Sequence, residues 1–242
     1  MDINLSTVTL NPIGEIRSCF KEKFGIPRQP NLVKDAPGEL VFYPAFAREE
    51  AVRFLEGFSH VWIIFLFHKA NASTPGDWSP MVRPPRLGGN KKVGVFASRS
   101  PFRPNPIGMS CVALESVEIS ENGPVLHLSG VDILDRTPVL DIKPYVPYSD
   151  ILPDARDGFA QGAPEPGLSV SFSQSAAAQI SKRAGDIPNL EAVIRGILEN
   201  DPRPAYTTNT SADRIYGIRL YDMDIKWQVS GTRVTVISAE KV

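Results

Sequence analysis

Five short stretches of this chain pair reactive side chains with unusually stiff backbone. In PRQP, residues 27–30, a proline on each side holds Arg28 and Gln29 on an exposed loop, with little freedom left to lose on binding. In SRSPFRPNPIG, residues 98–108, three prolines space Arg99, Arg103 and Asn105 in an extended, rigid arrangement that no apolar core accommodates. FHKA, residues 67–70, closes an apolar run and leaves His68 as either a satisfied core histidine or a ring facing a ligand. In VDILDRTPVLDIKPY, residues 131–145, Asp132, Asp135 and Asp141 read as turn formers and Thr137-Pro138 as a strand start. In DPRPAY, residues 201–206, Asp201 reads as a helix terminator, yet Arg203 is framed by prolines with Tyr206 behind it. Guanidinium forks read anions, and carboxylates, phenols and imidazoles move protons.

Charge adds a second signal. With 26 basic and 27 acidic residues the chain carries a net charge of −1, which taken alone argues against nucleic-acid binding. The distribution argues otherwise. No Asp or Glu occurs from Trp78 to Leu114, while Arg83, Arg86, Lys91, Lys92, Arg99 and Arg103 all do. Six cations without a local anion make a positive patch suited to phosphates, unless acids elsewhere in the fold balance them.

The elements that must position these loops are short and β-rich. Residues 8–19 alternate and predict a strand pair around a turn. Residues 19–40 are expected to form a long loop with the length of a functional one. A strand is predicted at 40–46, a short helix at 48–58 on the spacing of Ala51, Phe54, Leu55 and Phe58, and a central strand apolar on both faces at 59–68. Further strands are predicted at 91–100, 110–120, 124–135 and 137–147. Many short strands with one helix favour a single β-barrel over a βαβ fold. A Gly-, Pro- and Asp-rich boundary lies within 148–168, dividing a domain at 1–150 from a small α+β domain at 166–242. The latter is predicted to hold a strand at 168–173, a helix from Ile187 stopping before Pro202, and a closing hairpin or three-strand meander. It is too small to be comfortable alone and is expected to pack on the barrel or on a partner subunit.

Other classes lack their signatures. There is no Gly-rich dinucleotide fingerprint, no P-loop, no C-x-x-C and no H-E-x-x-H, and the histidines, His60, His68 and His127, are scattered. No metal is expected, and Cys19 and Cys111 read as unpaired packing residues. The apolar run 61–67 is too short for a membrane helix of about 20 residues. The first ten residues lack the pattern of a secretory signal, so a cytoplasmic location is expected.

At FKEKFGIPRQPNLV (20–33), LEGFSHVWIIFLFH (55–68), VRPPRLGGNKKVGVFASRSPFRPNPIGMS (82–110), TPVLDIKPYVP (137–147) and DPRPAY, the chain resembles the TsaA-like (YaeB, TrmO) family of tRNA methyltransferases. The resemblance spans nearly the whole chain. It implies a barrel domain that uses S-adenosylmethionine to methylate N6 of threonylcarbamoyladenosine at position 37 of threonine tRNA. It also implies a homodimer with the cofactor near the subunit interface. Carried over, the cofactor side comprises Pro27, Arg28, Gln29, His68, Lys69, Arg99, Asp135, Arg136 and Thr137. Lys69 and Arg136 depart from the family pattern, which has Gln and Gly there. The tRNA side would be Arg83, Arg86, Lys91, Lys92, Arg103 and Asn105. Methyl transfer from a sulfonium is an in-line displacement that needs placement and a proton acceptor rather than a metal. Asp201, and secondarily Tyr206, are candidates for that acceptor, and Arg203 or Arg103 for reading the threonine carboxylate. The competing readings are a non-enzymatic RNA-binding protein and another S-adenosylmethionine-using transferase acting on a small molecule.

Overall fold

In the computed structural model, which describes residues 8–70, 78–204 and 214–242, strands alternate with period two and curl into a closed sheet. The strands are β1 (Gly14–Ser18), β2 (Pro37–Phe42), β3 (His60–Leu66), the two-residue β4 (Met81–Val82) and β5 (Val93–Gly94), β6 (Ile107–Ser120), β7 (Gly123–Ser129) and β8 (Thr137–Pro144). The barrel runs β1-β2-β7-β6-β3-β8 and closes through antiparallel pairing of β8 with β1. Alternate residues point inward, so Ile16, Leu40, Val61, Ile63, Val112, Leu126 and Val139 fill the interior. Closure satisfies the strand edges internally.

After the short helix α1 (Pro147–Asp150) and the linker come β9 (Ser169–Phe172), α2 (Gln174–Ser181), α3 (Leu190–Glu199), β10 (Ile215–Leu220), β11 (Met223–Ser230) and β12 (Arg233–Lys241). The last three strands form an antiparallel meander, with β9 added parallel to β12. α3 presents Leu190, Val193, Ile194, Ile197 and Leu198 to a core that also holds the fully buried Trp227. α2 starts where the Ser173 hydroxyl accepts the Ala176 N–H at 3.1 Å.

This second core is completed from far away in the chain. Cys19, Phe20, Val33 and Ala36, all from the segment between β1 and β2, are buried in it. The Tyr221 N–H donates to the Cys19 carbonyl at 2.8 Å, and Phe20 bridges to Leu220. The C-terminal unit therefore packs on its own chain's N-terminal loop. Burial also pushes the Cys19 thiol up to about 12, consistent with an unreactive packing residue.

Four local expectations need correction. Residues 8–19 give one strand rather than a pair, and the residues before Gly14 only lead into it. Residues 48–58 form two 3-10 turns, Glu49–Val52 and Leu55–Gly57, because Phe54 at φ 66° breaks helical propagation between them. Residues 91–100 contribute two strand residues and a 3-10 turn, since the chain there serves a loop. β3 is not buried on both faces: Trp62, Ile64 and Leu66 lie half-buried on the outer wall, where Trp62 Nε1 donates to Asp150 at 3.2 Å. α2, built of small and polar residues, was not anticipated.

Candidate functional site

The segment between β1 and β2 is the organiser of the site. Phe20, Val33 and Ala36 anchor it in the C-terminal core, and Pro27 and Pro30 stiffen its tip. From that tip Gln29 accepts a hydrogen bond from Arg99 Nη1 at 2.7 Å. Arg28 Nη2 donates to the carbonyl of Arg203 at 3.0 Å and, more weakly, to that of Asp201 at 3.5 Å. The tip of PRQP, Arg99 and the turn Asp201–Arg203 thus meet at one place.

The DPR turn is itself ordered. Asp201 adopts φ 43°, a left-handed conformation that Asp tolerates better than most residues. Both of its carboxylate oxygens are gripped by Arg203, with Nε to Oδ1 at 2.7 Å and Nη2 to Oδ2 at 2.8 Å. This fork, largely buried on the arginine side, raises the Arg203 pKa further and rests against the Tyr216 ring at 5.9 Å. Tyr206 lies outside the described residues.

The other end of the same segment reaches the end of β3 and the turn before β8. Lys23 Nζ donates to the Lys69 carbonyl, and Lys21 pairs with Asp135 at 2.8 Å. Asp135 also accepts the Ser18 N–H at 3.0 Å. His68 Nδ1 lies 3.4 Å from the Thr137 hydroxyl, which itself donates to the Leu134 carbonyl. Desolvation, followed by the nearby charges of Lys69 and Lys23, lowers the His68 pKa, so its imidazole is neutral at pH 7. Arg136 occupies the left-handed region at φ 62°, the conformation a glycine would favour, and turns its side chain outward to Glu15. Lys69 meets the segment through its backbone carbonyl. Both departures from the family pattern are therefore accommodated by backbone geometry.

The acid-free stretch divides into distinct groups. Arg103 donates to the carbonyls of Ser98 and Ser100, shaping its own loop, and Asn105 accepts the Ile107 N–H on its carbonyl. Arg86 donates to the carbonyls of Gln161 and Gly162 in the linker. Arg83, Lys91 and Lys92 are exposed, with no acidic partner among the described residues. Interleaved with these cations are exposed aromatics: Phe96, Phe102, and Trp78, whose ring lies 5.9 Å from that of Phe96.

Two residues at this junction escaped functional notice in the sequence. Asn31, at φ 63°, donates its peptide N–H to Gly130 at 2.9 Å and its Nδ2 to Cys111 at 3.0 Å. Asp132, read as a turn former, accepts a hydrogen bond from the buried Ser110 hydroxyl at 2.7 Å. Its only signal was a place in an aspartate-rich stretch. Among the described residues no group of three or more His, Cys, Asp or Glu is placed to hold a metal ion, and no helix is long and apolar enough to cross a membrane.

Comparison with known proteins places this geometry. The tRNA-methyltransferase O N-terminal domain matches residues 15–151, and the TrmO C-terminal domain matches residues 165–242. The chain is 45% identical over 236 residues, covering 98% of it and 99% of the relative, to tRNA (adenine(37)-N6)-methyltransferase of Escherichia coli strain K12. It is 50% identical over 222 residues to a putative S-adenosylmethionine-dependent methyltransferase, RcsF, of Pseudomonas aeruginosa, covering 91% of this chain and 92% of that one. The crystal structure of TrmO from Pseudomonas aeruginosa superposes with a TM-score of 0.81 at 42% identity, covering 98% of this chain and 100% of that one. Matched in its barrel and in its C-terminal unit alike, the chain belongs to the tRNA-methyltransferase O family.

Proposed function

We propose that this chain transfers a methyl group from S-adenosylmethionine to N6 of threonylcarbamoyladenosine at position 37 of threonine tRNA. Family membership makes it a tRNA methyltransferase, and the Escherichia coli relative is named for N6 methylation of adenine 37. The observation that carries the reading onto these residues is the Arg99–Gln29 hydrogen bond together with the Arg28 contacts to Asp201 and Arg203. In this reading they bring the motifs for cofactor and nucleoside together, which supports one composite site.

The residues present suit the cofactor. An imidazole held neutral, the Gln29 amide and the Asp135–Thr137 turn offer polar contacts without setting a positive ring beside a sulfonium. When bound, the cofactor supplies a methyl group already activated for in-line displacement. The protein's task is then to position the target and to take up a proton. Arg203 or Arg103 supplies the guanidinium group that reads the threonine carboxylate. Asp201, with both oxygens engaged by Arg203, serves to hold that guanidinium in place. Tyr206 belongs to the same stretch. Arg83, Lys91 and Lys92 meet tRNA phosphates, while Phe96 and Phe102 offer stacking faces to loop bases. The reaction needs no metal, so a chelator leaves it unchanged. In this reading the enzyme acts in the cytoplasm as a homodimer, whose paired patches widen the surface offered to a folded RNA.

The test is nucleoside mass spectrometry of threonine tRNA from a strain lacking the gene. Threonylcarbamoyladenosine without the added methyl accumulates, and the gene restores the methylated form. Persistence of the methylated nucleoside in the deletion strain, with purified protein unable to make it, refutes the assignment.

A further inference from the structure

Asp132 stands between β7 and β8, half-buried, with the Ser110 hydroxyl on its Oδ1 at 2.7 Å. Asn31 ties the stiff loop to β6 and to the turn after β7: its contacts at Gly130 and Cys111 fall two residues before Asp132 and one after Ser110. Asp132 therefore lies within two residues of a contact that holds the loop carrying Arg28 and Gln29. Arg99, hydrogen-bonded to Gln29, favours the charged form of Asp132. Burial pushes the Asp132 carboxyl up to about 6, against the opposing effects of Ser110, its own peptide N–H and Arg99. A structural role does not call for this arrangement. An asparagine would accept the same Ser110 hydrogen bond without the cost of a buried charge.

Resting on the methyl-transfer reading above, we propose that Asp132 is the general base of the reaction. It accepts the N6 proton, directly or through one water, as the bond from N6 to the methyl carbon forms and the carbon–sulfur bond breaks with its electron pair left on sulfur. The negative charge of the carboxylate and the positive charge of the sulfonium are extinguished together. The proton passes to water after the products leave, restoring the carboxylate. Asp201 does not compete for this proton, because Arg203 occupies both of its oxygens.

The experiment compares wild type with Asp132→Asn and Ser110→Ala, using S-adenosylmethionine and tRNA bearing unmethylated threonylcarbamoyladenosine, both saturating. Wild-type kcat falls on the acid side as Asp132 becomes protonated. Asp132→Asn lowers kcat by about 100-fold or more, the usual scale for a lost general base, removes that limb, and leaves cofactor affinity within a few-fold. Ser110→Ala removes a hydrogen bond to the ionised form and moves the limb to higher pH. His68→Asn, which removes another group with a shifted pKa, keeps the acid limb of kcat whatever its effect on cofactor binding. Thermal unfolding supplies a readout independent of activity. The folded state holds the Asp132 proton more tightly than the unfolded state, so this site's contribution to stability declines as pH rises through about 4 to 6. At pH 8 Asp132→Asn should therefore be at least as stable as wild type. An Asp132→Asn protein that turns over within a few-fold of wild type with the same acid limb overturns the proposal. So does one whose kcat loss comes with a lowered unfolding temperature. A wild-type protein that methylates no threonylcarbamoyladenosine at any pH fails the underlying reading instead, and the inference falls with it.

Discussion

His68 and Arg136 show how single residues adjust to this site. The His68 imidazole is held neutral first by desolvation and then by Lys69 and Lys23. Its folded pKa lies below the unfolded value near 6.5, so protonation on acidification works against both the fold and a cationic cofactor. Calorimetric affinity for S-adenosylmethionine should be flat above pH 7 and fall on acidification only once the pH passes below the ordinary histidine range, as His68 gains its proton. In His68→Gln that fall should be absent; an equal fall in both proteins would place the titrating group elsewhere. Arg136 sits at φ 62° and reaches out to Glu15. Replacing it with glycine relieves about 1 kcal/mol of left-handed strain and forfeits an exposed ion pair worth roughly 0–1 kcal/mol. Arg136→Gly should thus be as stable as wild type or slightly more so in urea, with unchanged cofactor affinity. A tenfold loss of affinity would put the Arg136 side chain in the pocket.

At the scale of elements, the contact between the N-terminal loop and α3 matters most. A Cβ added at Gly196 would stand 2.9 Å from Val33 Cγ1. Helix propensity alone favours Gly196→Ala by about 1 kcal/mol. Overpacking a well-filled contact costs about 1–3 kcal/mol, and since valine has little rotamer freedom to yield, the contact should win. We expect Gly196→Ala to be destabilised in urea and to bind cofactor more weakly, because Arg28 and Gln29 ride on the loop that Val33 anchors. A stabilised variant would mean the loop and helix are only loosely coupled. Much of the architecture was legible here. β-branched runs at 110–120, 124–135 and 137–147 announce strands, the apolar run at 59–68 announces a strand though not its half-exposed outer face, and Leu190 to Leu198 trace an amphipathic helix. What was not legible depends on partners distant in sequence. Apolar spacing in 48–58 cannot reveal that Phe54 leaves helical backbone, and QSAAAQIS has too few apolar residues to announce α2. The motif residues were visible as stiff, charged loops, but the basicity of Asp132 arises from burial, which no local pattern encodes.

For the whole molecule, one chain segment serves two cores: the barrel needs its strands, and the C-terminal unit needs Cys19, Phe20, Val33 and Ala36. The basic surface is likewise divided. Arg86 fastens the linker through Gln161 and Gly162, whereas Lys91 is exposed without an acidic partner among the described residues. Lys91→Ala should weaken tRNA binding modestly for any tRNA and flatten its salt dependence by roughly one unit of slope. Arg86→Ala should instead speed proteolysis within 157–162. A reversal of these two phenotypes would reverse the assignment. The central claim is that the active site is composite, with the barrel and the DPR turn joined by the Arg28 loop. The most direct measurement is the rate of methyl transfer from S-adenosylmethionine to threonylcarbamoyladenosine in purified threonine tRNA, followed by nucleoside mass spectrometry, for wild type and for a protein carrying Asp201→Ala and Arg203→Ala. Wild type should form the methylated nucleoside. The double variant should fold and bind cofactor within a few-fold of wild type, yet transfer methyl at less than about a hundredth of the rate. Transfer at the wild-type rate by the double variant would contradict the account and leave the barrel as the whole catalytic site.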